Sequence, residues 1–134
     1  MVAVVLAAVI LAVAALLRRR RPAPPTQAHW EAPAQLDRRD FDGPEVPWLV
    51  AVFTSATCDS CAEAVAKAAP LAGAEVVVQE VEVKAAADLH RRYAIEAVPM
   101  IVVADGDGVV RASFVGPPPA TDLWAAVTEA RGAN

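Results

Sequence analysis

The chain has 134 residues, enough for one domain and a tail. Two cysteines are too few for a disulfide framework. The net charge of −4 hides an asymmetry: four of the twelve basic residues are Arg18 to Arg21, and beyond them eight basic residues face sixteen acidic ones, a balance that argues against nucleic acid as a partner.

The first seventeen residues, MVAVVLAAVILAVAALL, carry no charge and no polar side chain. As a helix at ~1.5 Å per residue they span roughly 25 Å, against a hydrocarbon core of ~30 Å. Snorkelling arginines and local thinning make up the difference, so residues 1–17 are expected to be a transmembrane helix or signal anchor. A cleaved secretory signal is the alternative, but it wants positive charge before the apolar run, and here all four arginines follow it. That arrangement predicts a single-pass cell-membrane protein whose domain faces the cytoplasm, with residues 1–21 contacting the membrane; an extracytoplasmic or secreted location is the alternative. Residues 18–33 hold the arginine cluster and a Pro-rich spacer, PAPPTQAHWEAP, which contains His29 and Trp30.

A globular pattern begins near Ala34 and runs to residue 134. WLVAVFT (Trp48 to Thr54) reads as a buried strand. Thr57 is expected to cap a helix starting near Cys58, with Cys61, Val65 and Ala68 on one face and Glu63 paired to Lys67 at i,i+4. Pro70 and Gly73 end it. EVVVQEVEV reads as a second strand, and AAADLHRRY as a short helix with Leu89 and Tyr93 inward and His90 at the surface or half-buried. MIVVA is a third strand. DGDG (Asp105 to Gly108) is a tight turn into a fourth, VVRASFV; the twelfth position counted from Asp105 is Gly116, which rules out an EF-hand calcium loop. Thr121 is expected to cap a last helix ending near Gly132, with Leu123, Val127 and Ala130 on one face. The helix-linked first three strands are expected to be parallel and the last pair antiparallel, giving an α/β mixed sheet flanked by helices.

Three readings of Cys58 and Cys61 compete. A structural zinc site needs about four ligands, and only His29 and His90 remain to supply them, so no metal is expected. Buried inert cysteines are a second reading. The third is redox chemistry: at a strand-to-helix junction the first thiol of a Cys-x-x-Cys pair meets orphan N–H groups, which favour its thiolate, and the second lies one turn on.

The buried strand, the Cys-x-x-Cys helix, RRYAIEAVPMIVV, the DGDGVV turn and a glycine after the last strand occur in an order that resembles the thioredoxin-like family over roughly Leu36 to Arg131. The resemblance implies a thioredoxin-like fold. It makes Cys58 the nucleophile, Cys61 the resolving thiol and the dithiol itself the only cofactor. It implies a cis Val98–Pro99 bond facing the cysteines, with Met100 offering main-chain groups to an extended client and Gly116 leaving room for the client's approach. LDRRDF resembles the opening of the family's first helix, shortened here to nothing between Asp42 and Pro47.

There are departures. The family's Trp-Cys-Gly-Pro-Cys is here Thr57-Cys58-Asp59-Ser60-Cys61; its buried acid six residues before the first cysteine is Val52, its lysine on the next strand is Glu80, and the proline within its active-site helix is absent. Asp59 adds negative charge beside Cys58, which raises a thiol pKa, while Ser60 can hydrogen-bond a thiolate. Only 37 residues separate Cys61 from Pro99, too few for the insertions of cytochrome-maturation or strongly oxidising relatives. The expected protein is a membrane-tethered thiol–disulfide oxidoreductase. It would exchange disulfides with protein clients and be recharged by an electron donor such as a reductase. A thioredoxin-fold module that binds clients with little turnover is the alternative.

Overall fold

The computed structural model describes Met1 and residues 30–133. The apolar segment after Met1, the arginine cluster and the linker up to His29 lie outside the described residues. Among the described residues no helix is long and apolar enough to cross a membrane.

Four strands form one sheet: β1 (Trp48–Thr54), β2 (Val76–Glu82), β3 (Met100–Ala104) and β4 (Val110–Val115), in the order β2-β1-β3-β4. Helices α1 (Cys61–Ala68), α2 (Ala87–Arg92) and α3 (Ala120–Gly132) flank it, and a 3-10 turn spans Arg38–Asp40 where the abbreviated first helix was expected. β1 is buried at all seven positions because it is central and covered on both faces. Its period of two sends Trp48, Val50 and Val52 to one side with Ala64, Ala68, Leu123 and Val127 of α1 and α3. Leu49, Ala51 and Phe53 go to the other side, with Leu36, Phe41, Leu89 and Tyr93. The fully buried Val, Leu and Phe side chains among these contribute roughly 1.5–3 kcal/mol each.

β1 and β2 are parallel, as α1 between them requires. β3, however, runs antiparallel to β1 as well as to β4, which corrects the expectation of three parallel strands. The six-residue α2 rises only about 9 Å against roughly 23 Å for a seven-residue strand, and the chain after it does not return along the sheet. The chain therefore begins β3 at the same sheet end where β2 stopped, with Met100 opposite Phe53. α2 closes instead with a left-handed residue. The N–H of Ile95 donates to the carbonyl of His90 (2.9 Å) and that of Ala94 to Arg91 (3.1 Å), a Schellman closure with Ala94 at φ +52°.

The opposite sheet end is locked by the incoming chain. Gln35 bridges Val109, and the N–H of Leu36 donates to the carbonyl of Gly108 at 2.8 Å. Gly108 (φ +80°) has no alternative, since a Cβ there would lie 1.9 Å from the Leu36 carbonyl oxygen. Asp105 accepts from the N–H groups of Asp107 and Val109 and pairs with Arg111. Arg38, 6% exposed, donates to the carbonyls of Asp105, Gly43 and Val46. Burial pushes its pKa down, and the Asp105 charge opposes that shift.

The start of the last helix differs from expectation. α3 starts at Ala120 with Pro119 in the N-cap place, so Thr121 lies inside the helix: the rigid φ of the proline run already sets the entry. Trp124 stays 43% exposed, its indole N–H donating to the carbonyl of Lys67 at 2.9 Å.

Candidate active site

The strand-to-helix connection after β1 carries both cysteines. Thr54, 1% exposed, ends the strand, and Ser55 to Ser60 form the loop. The carbonyl of Ser55 accepts from the N–H of Cys58 at 3.1 Å. Glu82, at the end of the neighbouring strand, braces the loop. One carboxylate oxygen accepts from the N–H of Ala56 (3.3 Å), and the other accepts from those of Lys84 (2.8 Å) and Ala85 (3.0 Å). The Ala85 N–H first, with those of Ala56 and Lys84, holds this carboxyl below its usual value against the opposing effect of burial.

Cys58 and Cys61 are joined in a disulfide, their Cα atoms 5.5 Å apart. Cys61 is 4% exposed while Cys58 is half-buried, so an incoming sulfur meets Cys58 first. α1 begins at Cys61 rather than near Cys58, and its N-cap is Ser60, with no side-chain capping bond. Thr57 is therefore not the cap. Its N–H and hydroxyl are turned to the hydroxyl of Ser55 (3.4 and 3.1 Å), and the four residues from Cys58 to Cys61 form a turn closed by the Cys61 N–H on the Cys58 carbonyl at 3.4 Å. The Ser60 hydroxyl lies 3.8 Å from the Cys58 sulfur, in contact range for stabilising a thiolate. Asp59 is exposed beside them.

The Val98–Pro99 bond is cis, and the register of Met100 against Phe53 brings Pro99 to the sheet end that carries the cysteine loop. The Pro99 carbonyl accepts from the N–H of Gly116 at 2.8 Å. Gly116 takes φ +86°, and nothing lies within 4 Å of where a Cβ would stand. Met100 does not offer main chain to a client: it has no exposed surface, being enclosed between Phe53 of β1 and Val115 of β4. Half-buried Val98 is the neighbour of Pro99 whose main-chain groups bond nothing else among the described residues.

Two features escaped the sequence reading. His90 is 5% exposed, not superficial; its Nε2 lies 2.7 Å from the carbonyl of Val81 and its ring meets Phe53 edge-on. It sits in the last turn of α2, on the side opposite the exposed Asp88, Arg91 and Arg92. The other is a hydrogen bond from the Thr54 hydroxyl to a carboxylate oxygen of Glu80 (2.8 Å), beside the pairing of Val52 with Glu80 across β1 and β2. The sole hint was a hydroxyl closing an otherwise apolar run.

The strand order, the helices on both faces and the disulfide after the central strand define a thioredoxin-like fold carrying a Cys-x-x-Cys pair. Solved thioredoxins resemble it. The Fasciola hepatica thioredoxin is 26% identical with a TM-score of 0.55, covering 62% of this chain and 80% of that one. The germline-specific thioredoxin Deadhead of Drosophila melanogaster is 21% identical with a TM-score of 0.58, over 68% and 88%. A mutant thioredoxin from Halobacterium salinarum gives 21% and 0.58, over 64% and 76%. No family model and no curated protein matches the sequence.

Proposed function

We propose that the protein is a membrane-tethered thiol–disulfide oxidoreductase that exchanges disulfides with protein clients. The observation that carries the reading is the asymmetric disulfide, with Cys58 accessible and Cys61 buried, at the sheet end shared with cis-Pro99 and Gly116. Cys58 attacks or is attacked, Cys61 resolves, and the dithiol is the whole cofactor. The main chain of Val98 beside Pro99 receives an extended client, with Gly116 giving clearance. Residues 1–17 anchor the chain, Arg18 to Arg21 keep the domain on the cytoplasmic side, and the reducing environment there makes the resting state a dithiol donor fed by a reductase.

The test is equilibration in glutathione redox buffers, read by alkylation mass shift, together with reduction of a disulfide-bonded client. Wild type should cycle. Cys61→Ser should accumulate a mixed disulfide at Cys58, and Cys58→Ser should do neither. A client retained undiminished after both cysteines become serine, with no cycling in wild type, favours the binding-module reading instead. A membrane-impermeant maleimide on reduced intact cells tests orientation: labelling of Cys58 before lysis would sink the cytoplasmic placement.

A further inference from the structure

β2 (Val76–Glu82) is one edge of the sheet, paired only with β1 among the described residues. The N–H of Trp48 donates to the carbonyl of Glu75, and that of Val83 to the carbonyl of Thr54. In a parallel ladder these two bonds fix the alternation. Val77, Gln79 and Val81 turn their main-chain groups to β1, and Val76, Val78, Glu80 and Glu82 turn theirs outward. The outward row is closed at its ends, where the carbonyl of Val76 accepts from the N–H of Gly73 and that of Glu82 from the N–H of Ala86. Between these ends, the N–H and C=O groups of Val78 and Glu80 bond nothing among the described residues. Sheet edges are commonly blunted by proline, a bulge or lysine. β2 has none of these and keeps register with β1 along its whole length. The edge is a template for one more strand.

The side chains of the outward row say which strand fits. Val76, Val78 and Glu80 stand beside Trp48, Val50 and Val52, on the face of the sheet that α1 and α3 cover. Val76 and Val78 pack on that core, while Glu80 is exposed. No Lys or Arg forms an ion pair with Glu80 or Glu82 among the described residues. A second copy of the chain fits poorly. Antiparallel self-pairing about Glu80 sets like charges opposite each other, and self-pairing about Val78 leaves the two glutamates opposite Val76 and Ala74 with no countercharge. A strand with apolar residues beside Val76 and Val78, and lysine or arginine beside Glu80 and Glu82, satisfies both halves of the row.

We propose that β2 is a docking edge for an extended basic segment of a partner protein, which joins the sheet antiparallel to β2, the more stable pairing. The row ends at Glu82, whose carboxylate holds the Ala56 N–H of the cysteine loop, so the basic end of the partner strand lies toward the disulfide. The edge is separate from the one at Val98 and Pro99 and needs no thiol chemistry.

The experiment uses the full oxidised chain and the blocked peptide Lys-Thr-Lys-Thr-Val-Thr-Val, followed by NMR amide exchange and calorimetric titration. In the free chain the N–H groups of Val78 and Glu80 should exchange fast and those of Val77 and Gln79 slowly. Peptide at about ten times its Kd should slow Val78 and Glu80 about tenfold, and salt should weaken binding. Glutamate in place of both peptide lysines should weaken it about tenfold. Glu80→Lys should erase that preference, and Val78→Pro, which an edge strand tolerates, should abolish binding. Wild type binding neither peptide, or both alike, overturns the proposal, as does Glu80→Lys with the preference undiminished. Protection of Val78 and Glu80 in the free chain also overturns it, since the chain itself or a second copy would then cover the edge. Replacing both cysteines with serine should leave the titration unchanged, so the oxidoreductase reading stands or falls separately. Loss of binding in that variant would place the peptide at the disulfide and overturn the edge.

Discussion

Replacing Ala94 with glycine should make the protein more stable. Ala94 sits at φ +52°, the left-handed region that costs an L-residue with a Cβ about 1–2 kcal/mol. It is there because the closure of α2 demands it, since only a left-handed residue lets the N–H groups of Ala94 and Ile95 reach the carbonyls of Arg91 and His90. Glycine removes the steric cost but frees the unfolded chain, at about 0.5–1 kcal/mol. The difference leaves a gain of roughly 0.5–1 kcal/mol, or about 2–8 °C in Tm for a domain of this size. Ala94 itself is exposed, so no packing is lost. Urea denaturation of the oxidised protein, with Ala94→Val as the opposing control, measures it. Valine should lower the midpoint because a β-branched side chain is worse still at positive φ. A glycine variant no more stable than wild type, or a valine variant equal to it, would refute the strain argument.

Other outcomes follow from the same geometry. In the reduced protein, limiting iodoacetamide near neutral pH should label half-buried Cys58 before Cys61, which is 4% exposed; peptide mass mapping that finds the reverse order exchanges the two roles. Glu82 has a folded pKa below its unfolded value of about 4.3, so its contribution is fully present above that pH and is lost as pH falls through the folded value. Stability measured from pH 6 down to pH 3 should therefore fall less steeply in Glu82→Gln than in wild type, and parallel curves would remove the brace. Gly108→Ala should cost about 3 kcal/mol in chemical denaturation, because its Cβ would meet the Leu36 carbonyl oxygen at 1.9 Å and φ is +80°. A cost under 1 kcal/mol would mean that the incoming segment moves aside freely.

The central strands were legible because β1 and β3 are apolar runs bounded by turn residues. MIVVA matches β3 residue for residue, and Pro99 before it marked where the ladder begins. Strand direction was not legible, since it depends on the sheet end at which the chain re-enters after α2, which no local pattern encodes. The cysteine pair was readable from its spacing together with its place after a buried strand. The start of α1 was not, because Thr57 looks like a cap in sequence but spends its hydroxyl on Ser55. Met100 and His90 failed for a shared reason. Their burial is imposed by neighbours distant in the chain, Val115 above Met100 and Phe53 beneath His90. The Thr54–Glu80 contact likewise joins residues 26 apart and has no local signature.

The antiparallel return of β3 gives the molecule two poles. Thr54, the disulfide loop, Pro99 and Gly116 gather at one, while Gln35, Leu36 and the turn from Asp105 to Gly108 gather at the other. A central strand of seven residues sets them roughly 23 Å apart. The polypeptide thus joins its sheet at the pole away from the disulfide. If the preceding residues hold the protein to a surface, the joint and the reacting sulfur stand at opposite ends of a short rigid arm, and the disulfide is carried outward. Clients would then be met at the tip of that arm, and a small domain could serve partners standing off the surface without lengthening its leash.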